Sequence, residues 1–268
     1  MIVVDAFHRD GYVVAPQLFS AEEVECFRDA LARVEAGEYR TGKRPTLDLP
    51  IAPDPTALRK IDNAWWADPD LASLATDKRL GEIAAALLGA TSVRLWQDQL
   101  LDKPPTGVDT GNIGWHQDWD SWKTVASRDA FVTAWVALDD VDEVNGAMQV
   151  IPGSHTWGHL AGESNFLDTD VDAQLAALSR ARDAQPIHLS MRAGQASFHH
   201  VLTFHGSGPN KSDRPRRSLA VHLVAGDVTA IDDGDGWRHY NLGLLQSRGG
   251  NLGDPYADDE LWPLVYPV

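Results

Sequence analysis

The hydrophobic period of this chain changes once, near residue 90, and that change restricts the fold more than any single motif. Ahead of it, Ser20-Ala21-Glu22-Glu23 has the form of a capping box. Val24, Phe27, Leu31 and Val34 follow at helical spacing, which predicts a helix over about 21–36. Leu71 to Leu88 repeats the helical pattern, re-capped near Asp77 and closed by Gly89. After residue 90 the apolar residues come in short alternating runs rich in Val, Trp and Phe. These are Ser92–Leu101, Phe131–Leu138, Ala147–Ile151, Pro186–Met191, Ala196–Phe204 and Arg217–Val224, separated by Gly, Pro, Asn and Asp clusters. Asp10-Gly11-Tyr12-Val13-Val14 reads as a turn feeding a short strand. Residues 171–183 read as one helix with Leu175 and Leu178 on its inner face. Residues 41–69, interrupted by Pro45, Pro50, Pro53, Pro55 and Pro69, read as an extended surface excursion. Helices followed by many short strands give a mainly β protein with flanking helices, a sandwich or jelly roll with the helices on one sheet. No repeat or Gly/Ser linker divides the 268 residues, so residues 1–268 are expected to form a single domain.

Composition then narrows the chemistry. The formal net charge is −16, which repels phosphate backbones and anionic lipid surfaces, so neither a nucleic acid nor a membrane is expected as a partner. No run approaches the length of a membrane span, and the start lacks a basic segment ahead of an apolar one, so a cytoplasmic location is expected. Cys26 is the only cysteine, which excludes an internal disulfide and any cysteine-based zinc or iron–sulfur site. Histidine and tryptophan, ten of each, are the unusual entries in the composition.

Trp115-His116-Gln117-Asp118-Trp119 places an imidazole and a carboxylate two residues apart, on one face if the segment is a strand. Alone, such a pair is more often a surface hydrogen bond. In Thr203-Phe204-His205-Gly206-Ser207-Gly208 a second histidine ends an apolar run, and a strand from the opposite sheet edge would carry His205 to the pair. Two imidazoles and a carboxylate on one face of an octahedron form the facial triad of non-haem Fe(II), although zinc accepts the same donors. Arg216, eleven residues beyond His205, chooses between them: its guanidinium on the next strand suits the two-pronged capture of a carboxylate. Iron beside an arginine-anchored diacid implies 2-oxoglutarate and O2. His199 lies an even six residues before His205, and His222 an even six after Arg216. Each therefore reads as a core histidine that can reach the site, with His199 a candidate substrate contact. His155 reads as a turn or gate residue, and His8, His159, His188 and His239 as surface or packing residues. The acidic run 139–143 and the basic residues Lys211, Arg214 and Arg217 read as solvated surface. Among the tryptophans, Trp66 and Trp122 are the candidate substrate contacts, because flat aromatic faces pack on sugar C–H faces and cations.

The ordered set His116-Gln-Asp118, Phe131-Val-Thr-Ala-Trp135, Asn145-Gly146 through Pro152-Gly153-Ser154-His155, and His205-Gly-Ser207-Gly-Pro-Asn210 through Arg216 resembles the phytanoyl-CoA dioxygenase-like Fe(II)/2-oxoglutarate oxygenases. The resemblance spans roughly residues 8–224. It implies a double-stranded β-helix with metal ligands His116, Asp118 and His205. It also implies Arg216 and Ser207 as partners of the distal carboxylate of 2-oxoglutarate, with Gln99, Trp135 and Lys60 as further co-substrate contacts. The expected activity is oxidation of a small polar, natural-product-like substrate, sugar-containing ones included, by hydroxylation or oxidative cyclisation, in a monomer or homodimer. Three alternatives stand beside it. An acyl-CoA hydroxylase is disfavoured by the negative charge. A halogenase is disfavoured by Asp118, which fills the position a halide would need. An inactive small-molecule-binding relative would normally have lost one of the four key residues.

Overall fold

The computed structural model describes residues 4–49, 57–105, 111–168, 170–181, 183–232, 234 and 239–267. Helix α1 (Val4–Asp10) turns at Gly11 into β1 (Tyr12–Val14), and α2 (Ala21–Glu35) follows. Strands β2 (Leu47–Leu49) and β3 (Arg59–Asp62) lead to α3 (Pro69–Ala75) and α4 (Lys78–Leu88). Then come β4 (Val93–Lys103), β5 (Ile113–His116), β6 (Phe131–Ala137), β7 (Met148–Val150), α5 (Val171–Ala177), β8 (Ile187–His188), β9 (Ala196–His200), β10 (His205–Ser207), β11 (Arg216–Ala225), α6 (Tyr240–Ser247) and β12 (Leu264–Tyr266). The eight-stranded sheet runs β1-β9-β6-β11-β4-β3-β2, with β12 added beside β4. The smaller sheet runs β5-β10-β7-β8. Two facing antiparallel sheets with helices on one of them make the jelly roll of a double-stranded β-helix.

The local causes follow from the sequence. Ser20 Oγ accepts from the Glu23 N–H at 3.2 Å and a Glu23 carboxylate oxygen accepts from the Ser20 N–H at 2.7 Å, so the capping box starts α2. Asp77 caps α4 and Gly89, left-handed at φ 61°, ends it. Alternation splits the large sheet into two environments. Val132, Ala134 and Val136 of β6, with Leu219, Val221 and Leu223 of β11, face the helices and join Phe27, Leu31, Leu74 and Leu80 in the main core. Their alternate neighbours Thr133, Trp135, Arg216, Ala220 and His222 face the space between the sheets. In β4 the period breaks: His222 pairs with Gln97 but Leu223 pairs with Leu95, so Trp96 is bulged. The extra residue puts both Leu95 and Leu100 on the helix side and turns Gln99 and Leu101 inward.

Several sequence expectations need correction. The run 196–204 is not one strand. It ends as β9 at His200, turns with Thr203 N–H donating to the His200 carbonyl at 2.8 Å, and re-enters the other sheet as β10. Pro186–Met191 supplies only the two-residue β8. Helix α5 stops at Ala177; its fully buried position is Gln174, while Leu178 is buried just beyond its end. The excursion 41–69 carries β2 and β3, which extend the sheet beyond β4; its residues 50–56 lie outside the described set. No helix among the described residues is long and apolar enough to cross a membrane.

Candidate active site

His116 closes β5 and sits directly opposite His205, the first residue of β10, in antiparallel register. The rings are 4.1 Å apart, centroid to centroid. They therefore meet as cross-strand neighbours within one sheet, not across two sheets as the sequence suggested. Asp118 does not reach them by strand alternation either, because it begins a 3-10 turn over Asp118–Ser121. That turn sets one carboxylate oxygen, Oδ1, 3.7 Å from His116 Nε2 and 3.6 Å from His205 Nε2. Among the described residues this is the one group of three side chains that could hold a metal ion.

Hydrogen bonds around the three set their chemistry. Nδ1 of His116 donates to the Gly114 carbonyl at 2.8 Å, and Nδ1 of His205 donates to the Thr203 carbonyl at 2.9 Å. With the proton fixed there, both Nε2 lone pairs face the centre. Burial pulls both imidazoles below their ordinary range, which keeps them neutral and ready to donate to a metal. Asp118 Oδ2 accepts from Thr133 Oγ1 at 2.8 Å and from His199 Nε2 at 3.3 Å, which leaves Oδ1 turned to the centre. Burial works to raise the Asp118 carboxyl, but the group lies well below its ordinary range, and the hydrogen bonds from His199 and Thr133 to Oδ2 favour its ionised form. The donor set, two neutral imidazoles and one oriented carboxylate, fits Fe(II).

A cavity extends from these atoms between the sheets, and Gln99, Trp135, His199, Ser207, Arg216 and His222 all border it. Arg216 is 1% exposed, its guanidinium 5.3 Å from the Trp135 ring centre. Its Nη1 donates weakly to Ser218 Oγ at 3.3 Å, while Nε and Nη2 have no partner among the described residues. Burial lowers it to about 10, so it remains a cation at neutral pH. A buried guanidinium with two empty donors is matched by a carboxylate.

An outer space of about 800 Å³ adjoins the cavity, bordered by Lys60, Gln99, Asp120, Ser121, Trp122, Ser164, Phe166 and Leu167. Phe166 stands edge-on to His116 at 5.0 Å and borders both spaces. Lys60 lies here, paired with Asp62 at 2.5 Å, and not in the inner cavity with Arg216. Trp66 packs edge-on against Trp65 and borders neither space, so the expectation of a substrate contact there is not met. Trp122 borders the outer space but is 2% exposed, wedged against His222 and Phe131. His199 arrives from the other sheet, since the turn after His200 separates it from His205, and it contacts Asp118 instead of the outer space. His239 is a packing residue: it caps α6, donates from Nε2 to Gln97 Oε1 at 2.9 Å and stacks on Trp96. Sequence reasoning missed Thr133 and Lys103. The first was findable from its parity with Trp135 on β6. The second becomes visible only through its cross-strand pairing with Arg216.

The family model for phytanoyl-CoA dioxygenase (PhyH) matches residues 7–218. A probable alpha-ketoglutarate-dependent hypophosphite dioxygenase of Stutzerimonas stutzeri is 30% identical over 227 residues, covering 81% of this chain and 76% of the relative. The peroxisomal phytanoyl-CoA dioxygenase of Homo sapiens is 24% identical over 234 residues, 84% of this chain and 68% of the relative. The crystal structure of the non-heme alpha ketoglutarate dependent carbocyclase SnoK from nogalamycin biosynthesis superposes with a TM-score of 0.73 at 27% identity, covering 97% of this chain and 94% of that one. This chain belongs to the phytanoyl-CoA dioxygenase family and is an Fe(II)- and 2-oxoglutarate-dependent dioxygenase.

Proposed function

We propose that the enzyme oxidises a C–H bond of a small polar, natural-product-like molecule, sugar-bearing compounds included, by hydroxylation or oxidative cyclisation. In this reading His116, Asp118 and His205 hold Fe(II), and Arg216 with Ser207 holds the distal carboxylate of 2-oxoglutarate. One observation carries it. The inward Nε2 and Oδ1 atoms and the two unpartnered nitrogens of Arg216 border one buried cavity. Fe(II) held by His116, Asp118 and His205 would supply the oxidation by O2 that is coupled to the loss of carbon dioxide from 2-oxoglutarate.

The chain supplies geometry and dryness. The bonds to the Gly114 and Thr203 carbonyls fix the tautomers of the two histidines, so neither ring spends free energy reorienting when the metal enters. Thr133 and His199 occupy Asp118 Oδ2 and leave one oxygen for the metal. Gln99 and Trp135 wall the co-substrate, and the Trp135 ring face supports the Arg216 cation while a carboxylate takes its edge. Phe166 covers His116 on the solvent side. The outer space holds the substrate, with Lys60 a polar contact at its rim in place of a deep co-substrate partner. Its mixture of aromatic faces and polar groups suits a hydroxylated ring, and the net charge of −16 opposes the phosphates of coenzyme A. The solved relative SnoK, named a carbocyclase from nogalamycin biosynthesis, supports the same substrate class. The test is succinate release with a panel of polyketide glycosides, aminoglycosides and oligosaccharides beside phytanoyl- and other acyl-CoAs. Turnover coupled to a polar compound is expected; efficient coupling to acyl-CoAs alone would overturn the substrate assignment in favour of acyl-CoA hydroxylation.

A further inference from the structure

A second buried cation stands beside Arg216. Lys103, the last residue of β4, pairs in register with Arg216 on β11 and is 1% exposed. Burial, and after it the charge of Arg216, pushes the ammonium below its ordinary range. Arg216 has no ion-pair partner of its own among the described residues: the acids that act on it are Asp102 and Asp139, and Asp139 is committed to Arg217 at 2.8 Å. Two adjacent basic side chains buried with no ion pair among the described residues are costly to charge together, and an anionic ligand beside them offsets that cost. Lys103 itself does not border the cavity. Its Nζ donates to Ser207 Oγ at 2.7 Å and to the Gly208 carbonyl, and Ser207 does border the cavity.

From this geometry we infer that Lys103 is a positioning residue for the distal carboxylate of 2-oxoglutarate, acting through Ser207. With a carboxylate bound in the cavity to offset burial and Arg216, Lys103 is held as an ammonium, which has protons to give and no lone pair to receive one, so Ser207 Oγ accepts from it and must send its own proton elsewhere. The open direction is the cavity. Lys103 thereby fixes the Ser207 hydroxyl as a donor to the carboxylate and places a second positive charge behind it. A neutral residue at position 103 leaves that hydroxyl free to point away from the carboxylate. Asn210 Nδ2 donates to the Lys103 carbonyl at 3.0 Å, which anchors the end of β4 independently of the ammonium. Gly146 packs against the Lys103 stem, since a Cβ there would meet Lys103 Cδ at 3.1 Å. The stem is therefore confined, and an apolar side chain of similar length can fill the same channel.

The inference rests on the assignment of Arg216 and Ser207 to the distal carboxylate, and the experiment separates the two. Calorimetric titration of the anaerobic Fe(II)-loaded protein compares 2-oxoglutarate with 2-oxobutyrate, which lacks the distal carboxylate. Wild type should prefer 2-oxoglutarate strongly. Equal affinity in wild type would remove the Arg216 and Ser207 assignment itself. Lys103→Met should weaken 2-oxoglutarate binding about tenfold or more while leaving 2-oxobutyrate within about twofold. Lys103→Gln, which keeps polarity without charge, serves if the Met variant fails to fold. A folding or packing role would weaken both ligands alike. In a Ser207→Ala background the same Lys103 change should cost much less, because its route to the ligand is gone. Wild-type preference retained in full by Lys103→Met or Lys103→Gln, or an equal loss for both ligands, would overturn the inference.

Discussion

Asp118 shows how much of the centre is built by groups that never touch the metal. Its Oδ2 is held by Thr133, whose hydroxyl is in turn fed by His222 Nδ1 at 2.9 Å. Removing that hydroxyl while keeping the shape frees the carboxylate to rotate. Thr133→Val is therefore expected to weaken Fe(II) binding about 10- to 100-fold with little change in melting temperature. Equilibrium titration with Fe(II) under nitrogen checks this, and unchanged affinity would show that His199 alone suffices. That His116, Asp118, His205 and Arg216 gather around one cavity was legible because their chemistry is rare and their spacing is short. Thr133 and Lys103 were not, because each matters only through a cross-strand partner that pairing register creates. Trp66 misled for the same reason: a tryptophan has no direction in a sequence, and this one turns toward Trp65.

The secondary-structure elements that carry strong local signals were read nearly to the residue. Ser20 and Glu23 announced α2, and Asp77 and Gly89 announced α4. The three- and four-residue strands β5 and β10 carry half the site and almost no periodic signal, since a strand that short has only one or two inward positions. The end of α2 carries a prediction of its own. Glu35 has a buried carboxylate oxygen without a partner, and burial, aided by repulsion from Asp102, raises it from 4.5 to about 7. A carboxyl whose folded pKa is raised favours the folded state while protonated, so its contribution is intact below pH 4.5 and is lost as pH rises toward 7. Glu35→Gln should thus stabilise the protein by about 1–3 kcal/mol at pH 8 and by little at pH 4.5. Urea unfolding at the two pH values measures it; equal effects at both would contradict the burial argument.

The smaller sheet and the segment around residue 165 close on one another at Gly114. A Cβ there would lie 2.0 Å from the Asn165 carbonyl oxygen, and the Gly114 N–H donates to the Phe166 carbonyl at 3.0 Å. Gly114→Ala must push that segment outward and lift Phe166 from His116. The expected result is several-fold more succinate released per product formed, because water gains access to the centre. Unchanged coupling would show that Phe166 does not seal it. Jelly-roll architecture was legible from the change of period near residue 90. The closure was not, because it joins an alternating strand to a segment with no pattern at all.

These parts converge on one physical statement: a histidine–aspartate–histidine centre and a buried, unpaired Arg216 share a single cavity. The direct measurement is a titration of the anaerobic Fe(II)-loaded protein with 2-oxoglutarate, followed by visible charge-transfer absorption, in wild type and in Arg216→Lys. Wild type should saturate at one equivalent. The lysine variant keeps the charge but loses the fork, and should require about tenfold or more 2-oxoglutarate to reach the same band. Identical titrations for the two proteins would contradict the account.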